Sequence, residues 1–278
     1  MRPGLKFIFS HAIFISCCAA GLAAQTNWLL NEPFDARATT LLFLTTFALY
    51  NCYRLVSGSG ANSIPGLCKE LWLKHKPDLL IITLASVAAA WLCILQQAAW
   101  PYLAISAICS LAYMLPVLPR ASRLVSDKWA PVKTILLALT WTIATTLIPA
   151  SVNGLITFED TWLVFMSRFC FMLVLCIIFD TRDQSVDILR FPGSLATVLG
   201  PGELRVLCYL LLIICMLTDL ALAWRLQNHT LAVASACTVI ITAWVYRMSG
   251  SQRGYYFYYF VVDGLILVST VSTFIATI

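Results

Sequence analysis

The chain has 278 residues, 60% of them hydrophobic and 11% charged, with a formal net charge of +5 and a mean hydropathy of +0.86. A water-soluble core of this length cannot absorb so much apolar surface, so the class is an integral membrane protein, and the positive charge is no signal for nucleic acid. The period-two alternation of a membrane barrel is absent, which leaves an all-α bundle.

In chain order, nine apolar stretches fall at 5–24, 38–56, 78–96, 100–119, 132–150, 160–180, 205–224, 230–247 and 257–277. Each is close to the roughly 20 residues that a helix needs to cross hydrocarbon. The first one resembles a cleavable signal, with Arg2 and Lys6 ahead of an apolar run and small residues at Gly21, Ala23 and Ala24. Cleavable signals are uncommon ahead of multi-span bundles, so it is read as a retained helix and residues 1–278 as one transmembrane domain. With the N-terminus inside, fifteen of the eighteen Lys and Arg residues fall on inner segments, and only Arg37 and Arg225 on outer ones. That bias predicts a cytoplasmic N-terminus in a multi-pass protein of a bacterial cytoplasmic membrane. It also places the long connections near 57–77, 120–131 and 181–204 inside.

Within the first of these, Leu67 to Lys76 reads as a short amphipathic helix with Leu71, Trp72 and Leu73 toward lipid. The eleven cysteines lie mostly within spans without metal-like pairing and read as small packing residues. Residues 255–260 (Tyr-Tyr-Phe-Tyr-Tyr-Phe) read as an interfacial aromatic belt, or less simply as pocket lining. His11, His75 and His229 are scattered and support no metal or acid/base constellation.

The most informative segment follows the sixth stretch, where Asp180, Asp183 and Asp187 recur at spacings of three and four. On a helix these three fall within about 60° of one another. Converging carboxylates repel unless a cation joins them, and Mg2+ carrying an anionic substrate suits such a cluster. The bland alternative is a hydrated loop whose acids offset Arg182 and Arg190. Three more charges lie inside spans. Arg168 and Asp219 share a depth in the outer half and predict a structural ion pair. Asp263, in the inner half of the last span, either pairs with Arg247 or Lys133 or lines a pocket.

These residues, in this order, resemble the UbiA superfamily of intramembrane prenyltransferases. Asp180, Arg182, Asp183 and Asp187 match its second aspartate-rich motif, and residues 193–200 resemble the element after it, with Ser194 in the usual Thr position. Tyr113 and Arg120 resemble the Tyr and basic pair after the fourth helix, and Lys133, Thr134 and Trp141 the start of the fifth. The first motif departs from the pattern. With its Asn on Asn51, Cys52, Leu55 and Ser59 stand at the three acidic positions, and Tyr53 and Arg54 stand nearby.

The resemblance implies a nine-helix bundle with a cytoplasm-facing cavity. It implies transfer of a polyprenyl group from a prenyl diphosphate to a lipophilic or aromatic acceptor, assisted by at least one Mg2+ at Asp180, Asp183 and Asp187. Asn51, Arg54, Tyr113, Arg120 and Lys133 would contact the diphosphate. Membrane lipids are the other expected partner. One rival is a non-catalytic descendant that binds isoprenoid or lipid, or acts as a scaffold. A transporter using Arg168 and Asp219 ranks behind it, because matched helix breaks in two halves are not evident.

Overall fold

The computed structural model describes residues 12–59, 64–114, 129–153, 158–187, 195–250, 253–254 and 256–278, and of residues 64, 129–130, 153 and 183–187 the backbone only. Helix α1 (Ile13–Leu29) ends where Asn31 turns left-handed at φ 53°, a conformation that asparagine tolerates. The carboxylate of Asp35 accepts the Arg37 N–H at 2.8 Å and so starts α2 (Ala36–Gly58). A short helix, α3 (Ile64–Lys74), leaves Trp72 and Leu73 exposed, as an amphipathic surface helix requires. Pro77 in the first turn suits α4 (Lys76–Leu95), which a 3-10 turn at Gln97–Ala99 joins to α5 (Trp100–Met114).

The next span is built in pieces. Helix α6 (Trp129–Thr142) passes through a π-helical turn, Ile143–Leu147, into α7 (Ile148–Asn153). The segment from Asp180 to Asp187 is not a loop: α8 (Phe158–Asp187) runs through it as a 30-residue helix. A single turn, α9 (Leu195–Val198), precedes α10 (Pro201–Arg225), whose Glu203 carboxylate accepts the Gly200 N–H at 2.9 Å. Asn228 caps α11 (His229–Met248) by accepting the Leu231 N–H at 3.0 Å. A second π turn, Phe257–Val262, leads into α12 (Asp263–Thr277).

Six helical segments are long and apolar enough to cross a membrane by length and composition: Lys76–Leu95, Pro131–Val152, Phe158–Arg182, Pro201–Arg225, His229–Met248 and Phe257–Thr277. Ile13–Leu29 is a shorter apolar helix. The described residues contain no strand, so the protein is an all-helical, multi-pass membrane bundle. The helices pack in the order α4, α2, α1, α12, α11, α10, α8, α6 and α5, and the 3-10 turn at Gln97–Ala99 bridges α5 back to α4, so the bundle closes into a ring in which α12 returns to α1. Gly21 allows that closure, because a Cβ there would come within 3.2 Å of Thr270 on α12. The largest core surrounds α8, with Val174, Ile177 and Ile178 fully buried among α1, α10 and α12 residues. All eleven cysteines are free, and Cys18, Cys170, Cys176, Cys208 and Cys215 are buried as packing residues.

Arg168 shows how such a core holds a charge. Its guanidinium donates to the Leu22 carbonyl at 2.8 Å, Thr26 Oγ1 at 3.1 Å, the Thr145 carbonyl at 3.1 Å and Gln25 Oε1 at 2.9 Å. Gln25 in turn donates to Ser269 Oγ at 2.9 Å and Thr273 Oγ1 at 2.8 Å on α12. The π turn exposes the Thr145 carbonyl that this network uses. The expected ion pair with Asp219 is therefore corrected: Arg168 and Asp219 make no contact within the 4.0 Å of an ion pair. They line one cavity of about 40 Å³ with Ser167, Cys215 and Ser235, and the Cys215 thiol lies 4.0 Å from Asp219 Oδ2. Carbonyls from α1 and the π turn lie closer to the guanidinium than any acid.

Candidate active site

Asp180, Tyr113, Tyr53 and Lys133 come together at one end of the ring, the end of α8 that carries Asp180. Thr134 Oγ1 on α6 donates to Asp180 Oδ2 at 2.5 Å, which aims this carboxylate toward α6. Residues 183–187 continue the helix, so positions 180, 183 and 187 share one helical face by register. Among the described residues no three His, Cys, Asp or Glu side chains gather as a metal site. Asp183 and Asp187 side chains and the whole of Arg120 lie outside the described residues.

One residue before Thr134, the Lys133 ammonium lies 5.7 Å from the centre of the Tyr113 ring, a cation–π contact. Tyr113 packs on Tyr53 at 5.9 Å between ring centres, and Asp180 is close enough for its charge to act on the Tyr113 phenol. The chain of contacts Asp180–Thr134, Lys133–Tyr113 and Tyr113–Tyr53 thus links α8, α6, α5 and α2. Beneath it lies an apolar cavity of about 490 Å³, walled by α2, α5 and α6 with Cys93 from α4. Tyr50, Tyr53, Tyr113 and Trp141 face it, and Tyr50 meets Trp141 edge-on at 6.3 Å.

The α2 end is arranged differently from the expectation. Asn51 is buried and its amide donates back to the Phe47 carbonyl at 2.8 Å, while its neighbours Tyr50 and Tyr53 line the cavity. Arg54 Nη2 stands 3.9 Å from Asp78 Oδ1 at the start of α4, and Asp78 Oδ2 lies 3.2 Å from His75 Nδ1. Ser59 Oγ donates to Glu70 on α3 at 2.7 Å. That hydrogen bond, with the Lys74 ammonium at 3.0 Å, holds the Glu70 carboxyl below its ordinary range. So two acids from beyond α2, Asp78 and Glu70, touch the segment whose own acidic positions hold Cys52, Leu55 and Ser59. Asp78 was visible as a first-turn acid after Pro77, but no spacing tied it to Arg54.

Asp263 is buried at 8% exposure, and neither Arg247 nor Lys133 pairs with it. Lys133 is engaged on Tyr113, and Arg247 lines a different pocket. Arg182 sits among three rings, 5.2 Å from Phe179, 5.3 Å from Tyr258 and 5.0 Å from Tyr259. It points away from Asp180, because two residues along a helix turn the side chain by about 200°. Tyr258 is fully buried and its hydroxyl donates to the Gly250 carbonyl at 2.8 Å, which removes it from any lipid-facing belt. Tyr256 and Phe260 remain exposed as a belt would have them.

A polytopic helical bundle with an apolar cavity opening beside charged side chains at one helix end is the class defined so far. No family model matches the sequence, and no curated protein matches it. Among solved structures, the apo structure of a UbiA homolog from Aeropyrum pernix K1 superposes with a TM-score of 0.65 and 13% identity. The match covers 95% of this chain and 97% of that one. The bundle has the UbiA fold, as the sequence motifs anticipated.

Proposed function

We propose that the chain is an intramembrane prenyltransferase, moving a polyprenyl group from its diphosphate to a lipophilic or aromatic acceptor. The observation that carries this is the apolar cavity of about 490 Å³ with Asp180, Lys133 and Tyr113 at one end. A long isoprenoid tail needs lipid-like walls, and its diphosphate needs charge at the mouth. The likeness to a UbiA homolog supports the same reading. We place the site on the cytoplasmic side of a bacterial membrane, in a bundle of nine spans with the N-terminus inside.

The donor set fits a hard divalent cation, with carboxylate positions 180, 183 and 187 on one face of α8. Bound there, Mg2+ would neutralise charge on the departing pyrophosphate. Lys133, Arg54 and Arg120 bind the diphosphate oxygens, with Tyr113 and Asn51 positioning them. The C–O bond at the allylic carbon breaks, pyrophosphate leaves with the electron pair, and the acceptor supplies the new pair and loses a proton. Tyr50, Tyr53 and Trp141 offer ring faces to the positive carbon and keep water out. Arg54, beside Asp78, supplies part of the positive charge that a second metal would bring where Cys52, Leu55 and Ser59 carry no carboxylate.

Farnesyl diphosphate titrated into the protein in nanodiscs, with and without Mg2+, tests the proposal. The expected result is Mg2+-dependent binding that Asp183→Asn abolishes, with pyrophosphate release when a lipophilic phenol is added. Absence of binding in either condition overturns it. The missing α2 acids favour one second reading, a non-catalytic isoprenoid binder, which predicts binding without pyrophosphate release.

A further inference from the structure

A second pocket lies at the Asp180 end but on the other side of α8, between α8, the start of α10 and the end of α11. It measures about 500 Å³ and shares no lining residue with the apolar cavity. Thr181, Arg205, Tyr209, Tyr246, Arg247 and Ser249 line it, so four residues that carry hydroxyls and two that carry guanidiniums border one space. Tyr209 and Tyr246 pack edge to face at 6.0 Å and fix its inner wall. Arg205 and Arg247 are exposed, and among the described residues neither has a hydrogen-bond or ion-pair partner. The neighbouring acid, Glu203, is turned back onto the Gly200 N–H. Two cations that border one pocket with no acid bonded to either favour an anion in the space between them.

We propose that this pocket holds the phosphate headgroup of an anionic membrane lipid. A guanidinium binds phosphate oxygens in pairs, and tyrosines supply donors at the depth where headgroups lie. A lipid is favoured over free phosphate by what lies along the helices toward the bundle middle. Val206 and Leu210 on α10 and Trp244 on α11 are exposed apolar side chains, a surface along which acyl chains pack. Basic pockets between transmembrane helices are a known form of headgroup recognition. The site goes beyond the prenyl-transfer reading and does not depend on it.

The test uses the full chain in nanodiscs of phosphatidylcholine containing a minor fraction of phosphatidylglycerol with the same acyl chains. Lipid retained by the protein is counted by native mass spectrometry. The wild type is expected to retain phosphatidylglycerol about thirty-fold above its share of the bilayer, the worth of two cations at a membrane surface. R205Q/R247Q should lose that enrichment while keeping its melting temperature. If the double variant fails to fold, R205Q and R247Q singly should each lose part of it. Equal enrichment in variant and wild type, or none in the wild type, overturns the proposal. Inorganic phosphate that displaces the lipid with the same arginine dependence would make free phosphate the occupant and also overturn it.

Discussion

Helices α4 and α8 are almost equally apolar, with mean hydropathies of 2.2 and 2.4 over their most apolar stretches, yet 11% of that stretch of α4 and 61% of that of α8 are buried in the protein. In water the exposed helix would be unstable. In lipid it costs nothing to leave it so, because acyl chains solvate Leu80, Leu84 and Val87 as well as a protein core would. Hydropathy therefore decides which helices enter the bilayer and says little about which ones the protein holds tightly. The apolar cavity lies among α2, α5 and α6 and touches the loosely held α4 at Cys93. The acid that reads that cavity, Asp180, hangs from the tightly held α8. A carboxylate on a buried helix beside an apolar cavity is what the proposed reaction would use.

Four substitutions test that contrast, from the largest expected effect to the smallest. Arg168→Leu removes four buried hydrogen bonds, leaves Gln25 Oε1 without its donor and leaves the Leu22 and Thr145 carbonyls to the Thr26 hydroxyl alone among side chains. It should destabilise the bundle by about 3 kcal/mol or more, measured by denaturant unfolding in detergent. Ile177→Ala opens a hole in the α8 core, where Ile177 is fully buried, and should cost about 2 kcal/mol by the same measurement. Thr134→Val leaves the fold intact but releases Asp180. Mg2+-dependent binding of farnesyl diphosphate should weaken about tenfold, the worth of one hydrogen bond to a charged group. Leu84→Ala, on a side chain 61% exposed on α4, should change stability by less than about 0.5 kcal/mol. If Leu84→Ala costs as much as Ile177→Ala, α4 is held by protein after all and the contrast is wrong.

Much of the acidic end was legible in advance. The three-and-four spacing of Asp180, Asp183 and Asp187 requires one helical face, and α8 does continue to Asp187. Tyr113 and Lys133, both taken from the motif resemblance, meet in space. The first helix was placed too early, ending at 24 instead of Leu29, because Gln25, Thr26 and Asn27 look like residues leaving the membrane. They are buried, and Gln25 and Thr26 are polar because they hold Arg168. Nothing local marks such a residue as inward-facing when its partner lies more than 140 positions away. The Arg54–Asp78 contact was hidden for the same reason, since it joins two helices across an intervening connection. The π turns at Ile143–Leu147 and Phe257–Val262 have no sequence signature of period or composition.

The turn at Phe257–Val262 has a mechanical meaning of its own. A π turn inserts one residue into the helical repeat, so side chains before and after it follow different angular phases. The start of the turn obeys Gly250, whose carbonyl draws Tyr258 inward beneath Arg182. Residues beyond it obey α1, to which Ser269 and Thr273 must present their oxygens for Gln25. The extra residue is a clutch between these two registrations, and a chain shortened by one there would have to surrender either the tyrosine's seat or the glutamine's.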